Sequence, residues 1–350
     1  MQMTDNERIL QVLLSREKPE TFDPATIAET LKVDPGKIIS RPETLIELDG
    51  TPIATAGNFS LITGKAKSRK TMFLTCLAAA AIAGRCNLPQ FTGSLPENRK
   101  TIFFDTEQSD YHVHMTYSRI LRQAGHNSLQ HFEAYGLRPL KPSERLAVIE
   151  YLIQNNPAVG MVFIDGIRDL VTSINDEQQA TDITSRILKW THVYKIHIYL
   201  VLHQNKSDLN ARGHLGTELM NKAETVLTVK KDERDSNIST VTPEYCRDID
   251  PEPFAFQINS EGLPELADVP KPDTRRHETM AEHFRKILPV SLSLPYNELV
   301  NQYKEIAGIS DSTSKRHISE AMTTGLLMKN SNGLYKIKNP DYNDSNDIPF

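Results

Sequence analysis

Gly64, Lys70 and Thr71 stand at the spacing of a phosphate-binding loop. Segment 64–71 reads Gly-Lys-Ala-Lys-Ser-Arg-Lys-Thr, and the general pattern is glycine, four residues, Gly-Lys, then Ser or Thr. A loop that turns into a helix aims backbone N–H groups at one point, and the helix dipole adds positive potential there. Candidate nucleotide contacts are therefore Gly64, Lys65, Ala66, Lys67, Ser68, Arg69, Lys70, Thr71 and Met72. At the first helical turn Lys70 can reach the β- and γ-phosphates, and the Thr71 hydroxyl can ligate magnesium. Arg69 takes the place of the second glycine, where close approach of the backbone favours glycine. An arginine there is expected to hold helical angles and either turn outward or add charge near the phosphates. The alternative is a lysine-rich surface turn.

Carboxylates and polar groups recur at strand ends downstream. Residues 101–107, Thr-Ile-Phe-Phe-Asp-Thr-Glu, close an apolar run with Asp105 and Glu107; the bland alternative is an acidic N-cap cluster before the next helix. Residues 160–165, Gly-Met-Val-Phe-Ile-Asp, end on Asp165 about 95 residues after Lys70. One carboxylate closing an apolar strand suits a magnesium ligand, with Asp169 as an alternative. Residues 198–204 form another apolar run, ending in His203 and Gln204.

These residues need a scaffold that brings distant strand ends together. Short apolar runs at 59–63, 101–104, 131–134, 160–164, 198–202, 225–229 and 254–258 alternate with helical stretches at 71–84, 111–124, 143–155 and 180–194. That alternation predicts an α/β domain with a mainly parallel sheet, antiparallel at one edge where no helix separates the last strands. Residues 1–50 are expected to form a helical extension, with helices over 4–16 and 25–31, packed on the main domain. Residues 263–274, rich in Pro and acid, suggest a linker. Beyond it, helices are expected at 276–288, 296–307 and 312–324. Asn332-Gly333 between two apolar runs predicts a hairpin. Three helices and a hairpin over 275–338 have the layout of a winged helix. The acidic tail 339–350 is expected to be disordered.

The order of motifs over about residues 50–260 resembles the RecA/DnaB-like ATPases, nearest to the RepA-like hexameric helicases and ATPases of plasmids and mobile elements. The resemblance rests on GKAKSRKT, FFDTE, MVFID, LVLHQ and the loop containing ARGHLG. It implies a RecA-like P-loop NTPase core over 51–262, ATP hydrolysis with Mg2+, and a homo-oligomeric ring, usually of six. By the same resemblance Glu107 would orient and deprotonate the attacking water, and Gln204 or His203 would sense the γ-phosphate. The polar loop 205–222 would touch DNA, with Arg212 as its best cation. Lys231 and Arg234 would reach a neighbouring subunit's γ-phosphate. In the winged helix, 312–324 would be the recognition helix, with Lys315, Arg316 and His317 facing DNA.

Bulk properties agree with this assignment. Of 350 residues, 39% are hydrophobic and 7% aromatic, an ordinary folded composition. The net charge of −5 hides an asymmetry: residues 275–338 hold ten Lys/Arg against six Asp/Glu, a pointer to nucleic acid. Three cysteines without metal-ligand spacing fit a reducing compartment. The polar N-terminus lacks a leader pattern, and the most apolar run, 77–83, falls far short of the ~20 residues that span a bilayer. A cytoplasmic location and no membrane partner are expected. The partners expected are DNA, further copies of the chain, and other replication or mobilisation proteins. Three functions compete: a helicase or translocase of a mobile element, a non-unwinding loader, initiator or switch, and a DNA-binding regulator with a decayed loop.

Overall fold

A computed structural model of the chain describes residues 23–36, 38–126, 130–204, 213–247, 249–270, 274–289 and 292–338. The helix expected over 4–16, Arg212 and the tail 339–350 lie outside them. The chain divides into two compact units, Met1–Pro270 and Lys271–Phe350.

The first unit is built on a nine-stranded sheet. Six of its strands are mutually parallel: β3 (Phe59–Gly64), β5 (Lys100–Asp105), β6 (Phe132–Gly136), β7 (Val159–Asp165), β8 (His197–His203) and β9 (Thr225–Lys231). β10 (Ile238–Cys246), β11 (Phe254–Ile258) and β12 (Pro264–Ala267) extend one edge in antiparallel fashion. The order across the sheet is β12-β11-β10-β9-β3-β8-β7-β5-β6. Every residue of β3 and β7 is buried, as their unbroken apolar runs demand of strands covered on both faces.

One face is covered by α2 (Lys70–Ala83) and α3 (Asp110–Ala124), the other by α4 (Pro142–Gln154), α5 (Glu177–Tyr194) and α6 (Gly213–Lys222). α2 is buried nearly all round, and its alanines make that possible: β4 (Phe91–Gly93) lies so close that a Cβ on Gly93 would sit 1.9 Å from the Ala80 carbonyl oxygen. β4 joins β1 (Thr44–Leu48) and β2 (Thr51–Thr55) in a separate three-stranded sheet.

The expected α/β core with a mainly parallel sheet is present. Three expectations are corrected. Residues 44–48 belong to a strand with a buried face, whereas α1 (Pro24–Leu31) buries none of its residues. Residues 264–267 of the expected linker pair with β11, because Leu263 and Pro264 are buried against the sheet. The region 205–222 is a helix from Gly213 onward, since Leu215 and Leu219 repeat at helical spacing and bury. β10 follows β9 directly and supplies the expected antiparallel edge.

The second unit holds α7 (Thr274–Ile287), α8 (Tyr296–Ala307), α9 (Asp311–Thr323) and a hairpin of β13 (Leu327–Lys329) and β14 (Tyr335–Ile337). Its core includes Phe284, Leu299, Tyr303, Ile318 and Leu327. Leu294 also bridges to Tyr335. Among the described residues no helix is long and apolar enough to cross a membrane.

Candidate active site

The parallel strands end together. Gly64 pairs with His203, Asp105 with Asp165, and Asp165 with Val201. The residues at or just beyond these ends therefore converge at the carboxyl edge of the sheet, where open α/β sheets place their ligands. A cleft of about 390 Å³ opens there.

The loop after β3 is held by backbone geometry. Gly64 has φ +147°, and a Cβ on it would lie 2.3 Å from the Val229 carbonyl oxygen, so glycine is required. Lys65, Ala66 and Lys67 form the exposed tip, while Ser68 is buried. Arg69 has φ +74° and ψ +30°, a left-handed conformation natural to glycine and costly for other residues. The expectation of helical angles at Arg69 is corrected. Its side chain does turn outward: Nη1 donates to Ser239 Oγ at 3.0 Å and Nη2 to the Ser236 carbonyl at 2.8 Å.

Lys70 is 5% exposed. Its Nζ donates to the carbonyls of Gly64 (3.0 Å) and Lys65 (2.9 Å) and lies 3.1 Å from His203 Nδ1. Burial lowers its pKa to about 8, against the attraction of Asp165 and Glu107. Such a lysine gains strongly from an anion brought within reach. Thr71 Oγ1 donates to Asp165 Oδ2 at 2.6 Å. Burial raises the Asp165 pKa to about 7. A buried carboxylate that resists ionisation, with a hydroxyl against it, is a hard-oxygen donor set suited to magnesium. The alternative Asp169 is held elsewhere, by Arg168 (3.3 Å) and by the Thr106 hydroxyl (3.0 Å).

Glu107 lies on the cleft wall, its Oε1 3.4 Å from His203 Nε2. The hydrogen bond with His203 outweighs the opposing effect of burial and lowers its pKa below the usual carboxylate value. Because Lys70 donates to Nδ1, the imidazole must carry its hydrogen on Nε2, facing Glu107. Lys70, His203 and Glu107 thus form a chain across the cleft. Glu107 is not a helix cap: Ser109 occupies the N-cap of α3. Asp105 is almost fully buried and accepts from the backbone N–H groups of Glu107 (3.0 Å) and Gln108 (2.8 Å); it shapes the turn that presents Glu107.

Gln204 does not line the cleft. It is buried, and its Nε2 lies 3.3 Å from Thr63 Oγ1, 3.4 Å from Thr228 Oγ1 and 3.4 Å from Glu244 Oε1. Side chains alternate along a strand, so with His203 in the cleft its neighbour turns into the sheet. Lys231 ends β9, and Arg234 lies in the turn to β10, its Nε 3.9 Å from Asp232 Oδ1; neither lines the cleft. Met72 and Arg119 do, and Arg119 Nε also donates to the Gly262 carbonyl at 3.2 Å. Sequence reasoning passed over Arg119, whose α3 position carries no motif.

In the second unit, Lys315 is paired with Asp311 at 2.7 Å, and Arg316 is exposed. His317 Nδ1 lies 3.0 Å from the Tyr303 hydroxyl, and the two rings pack edge to face. His317 therefore belongs to the inner side of α9, contrary to the expectation that it faces outward.

The profile of one protein family, described as an AAA domain, matches residues 24–208. That is more than half of the chain, and it contains the loop, Glu107, Asp165 and His203. The chain belongs to this family. It is an ATPase of the P-loop kind, and the AAA domain implies nucleotide binding. A search of the curated proteins found no match.

Proposed function

We propose that this AAA-domain protein is an ATP-driven motor on DNA, a RepA-like replicative helicase or translocase of a mobile element. Magnesium, when bound, supplies charge that neutralises the phosphates, and Thr71 and Asp165 would hold it. Lys70 neutralises the β- and γ-phosphates. Glu107 accepts the proton of the attacking water, and His203 orients Glu107 and meets the γ-phosphate end of the cleft. In a homo-oligomeric ring, Lys231 and Arg234 would project toward a neighbour's site. Arg212 lies in the segment that would face the DNA.

The observation that carries the DNA assignment is the second unit. α8 and α9 are joined by the three residues 308–310, and the hairpin's second strand bridges back to Leu294. A helix-turn-helix followed by a hairpin that takes in a third extended segment supports a winged helix, with α9 as its recognition helix. Lys315 and Arg316 lie on its exposed side. The test is strand displacement on a forked duplex with MgATP. Wild type should separate strands and hydrolyse ATP, and E107Q should do neither. DNA affinity should fall steeply with salt, and R316A should weaken it at every sequence tested.

A second function, a loader or switch that hydrolyses ATP without unwinding, is favoured by the modest free charge of α9. Lys315 is neutralised by Asp311, and His317 is turned inward. Turnover stimulated by DNA without displacement of either strand would select it.

A further inference from the structure

Arg69 is the one departure of the loop from its pattern, and its place in the fold is unusual on two counts. It holds φ +74° without being glycine, and its guanidinium leaves the cradle for the turn between β9 and β10. Both terminal nitrogens are engaged, Nη2 on the Ser236 carbonyl in that turn and Nη1 on Ser239 Oγ at the start of β10. Ser239 is fully buried and donates back to the Ser68 carbonyl at 3.3 Å. Loop and turn are thus tied by two residues acting in opposite directions. The turn has order of its own: Asp232 Oδ1 accepts from the N–H groups of Arg234 and Asp235, and Asp235 Oδ1 from that of Asn237. A rigid turn fastened to the loop moves when the loop moves. A glycine would supply the backbone conformation without strain, but it could not fasten the turn.

We propose that Arg69 is a positioning residue that clasps the β9–β10 turn to the phosphate loop, so that phosphate binding sets the position of Lys231 and Arg234. The loop's response to phosphate rests on the ATPase function; the clasp itself does not.

Hydrogen–deuterium exchange on the full chain tests both parts. Without nucleotide, R69G should raise the exchange rate of amides 232–238 by about fivefold or more, with the amides of β7 unchanged. R69K, with one donor group in place of a two-pronged one, should fall between R69G and wild type. S239A, which removes one anchor, should raise the rate less than R69G, and it serves as the readout should R69G fail to fold. Equal turn exchange in wild type, R69G and S239A overturns the clasp. At saturating MgADP, judged by slowed exchange of loop amides 64–71, the turn should slow in wild type and not in R69G. A turn that slows equally in both overturns the coupling. If the loop amides of wild type ignore nucleotide, the ATPase function fails, while the nucleotide-free comparison still decides the clasp.

Discussion

Replacing Lys70 by methionine (K70M) is expected to stabilise the nucleotide-free protein while abolishing turnover. Burial lowers the Lys70 pKa from 10.5 to about 8, which at 1.36 kcal/mol per pH unit corresponds to about 3 kcal/mol. The sign is that of a base whose charged form is disfavoured in the fold. The cost is full below about pH 8 and is relieved as pH rises towards 10.5, where the unfolded chain also loses the proton. Methionine matches the length of the stem and carries no charge. The hydrogen bonds lost are few in consequence: the Gly64 carbonyl keeps the N–H of Gln204, and that of Lys65 keeps the N–H of Ser68. Setting about 1 kcal/mol against them leaves a net gain of about 1–2 kcal/mol, or roughly 2–6 °C in Tm for a unit of this size. Thermal unfolding at pH 7 and pH 10 measures it. MgADP at a hundredfold excess over Kd should raise wild type by about 2.7 kcal/mol and K70M hardly at all, so nucleotide inverts the order of stability. A K70M protein no more stable than wild type at pH 7, or with the same advantage at pH 10, would refute the buried-charge argument.

Further outcomes follow from the same geometry. E107Q should lower kcat by about 10²–10⁴ and leave nucleotide binding in place, as read by turnover and by titration of a fluorescent nucleotide. D165N should remove the gain in nucleotide affinity that magnesium confers, and chelation should stop turnover in wild type. Because Asp165 is raised to about 7 by burial, magnesium affinity should fall about tenfold per pH unit below that point, with proton release on binding by calorimetry. His197 is wholly buried, donates from Nδ1 to the Thr55 carbonyl at 2.9 Å, and is lowered by burial to about 4. It stays neutral in the fold while the unfolded chain protonates near 6.5. Its contribution is complete above pH 6.5 and falls by about 3 kcal/mol as pH drops to 4; denaturant midpoints of H197N should lack that slope.

The sequence by itself determined the loop, its position between β3 and α2, and the acids that end β5 and β7. Apolar runs that close on a polar residue suit buried strands ending at a site, and that signal is local. It also determined the mainly parallel sheet, because short apolar runs alternate there with helical stretches long enough to cross over between parallel strands. Three things were decided by tertiary structure. Which of His203 and Gln204 enters the cleft depends on the phase of β8 against β3, and both residues suit a polar strand end equally well. The conformation of Arg69 depends on a partner about 170 residues away in sequence, Ser239, so the loop pattern alone could not foretell a left-handed arginine clasping a turn. The strands at 44–48, 51–55 and 91–93 were missed because they are short and pair only with one another. What calls them into being is the apolar outer face of α2, a helix buried all round that needs cover on both sides. Local pattern specifies an element when one face must be hidden; its partner is chosen only when the rest of the chain arrives.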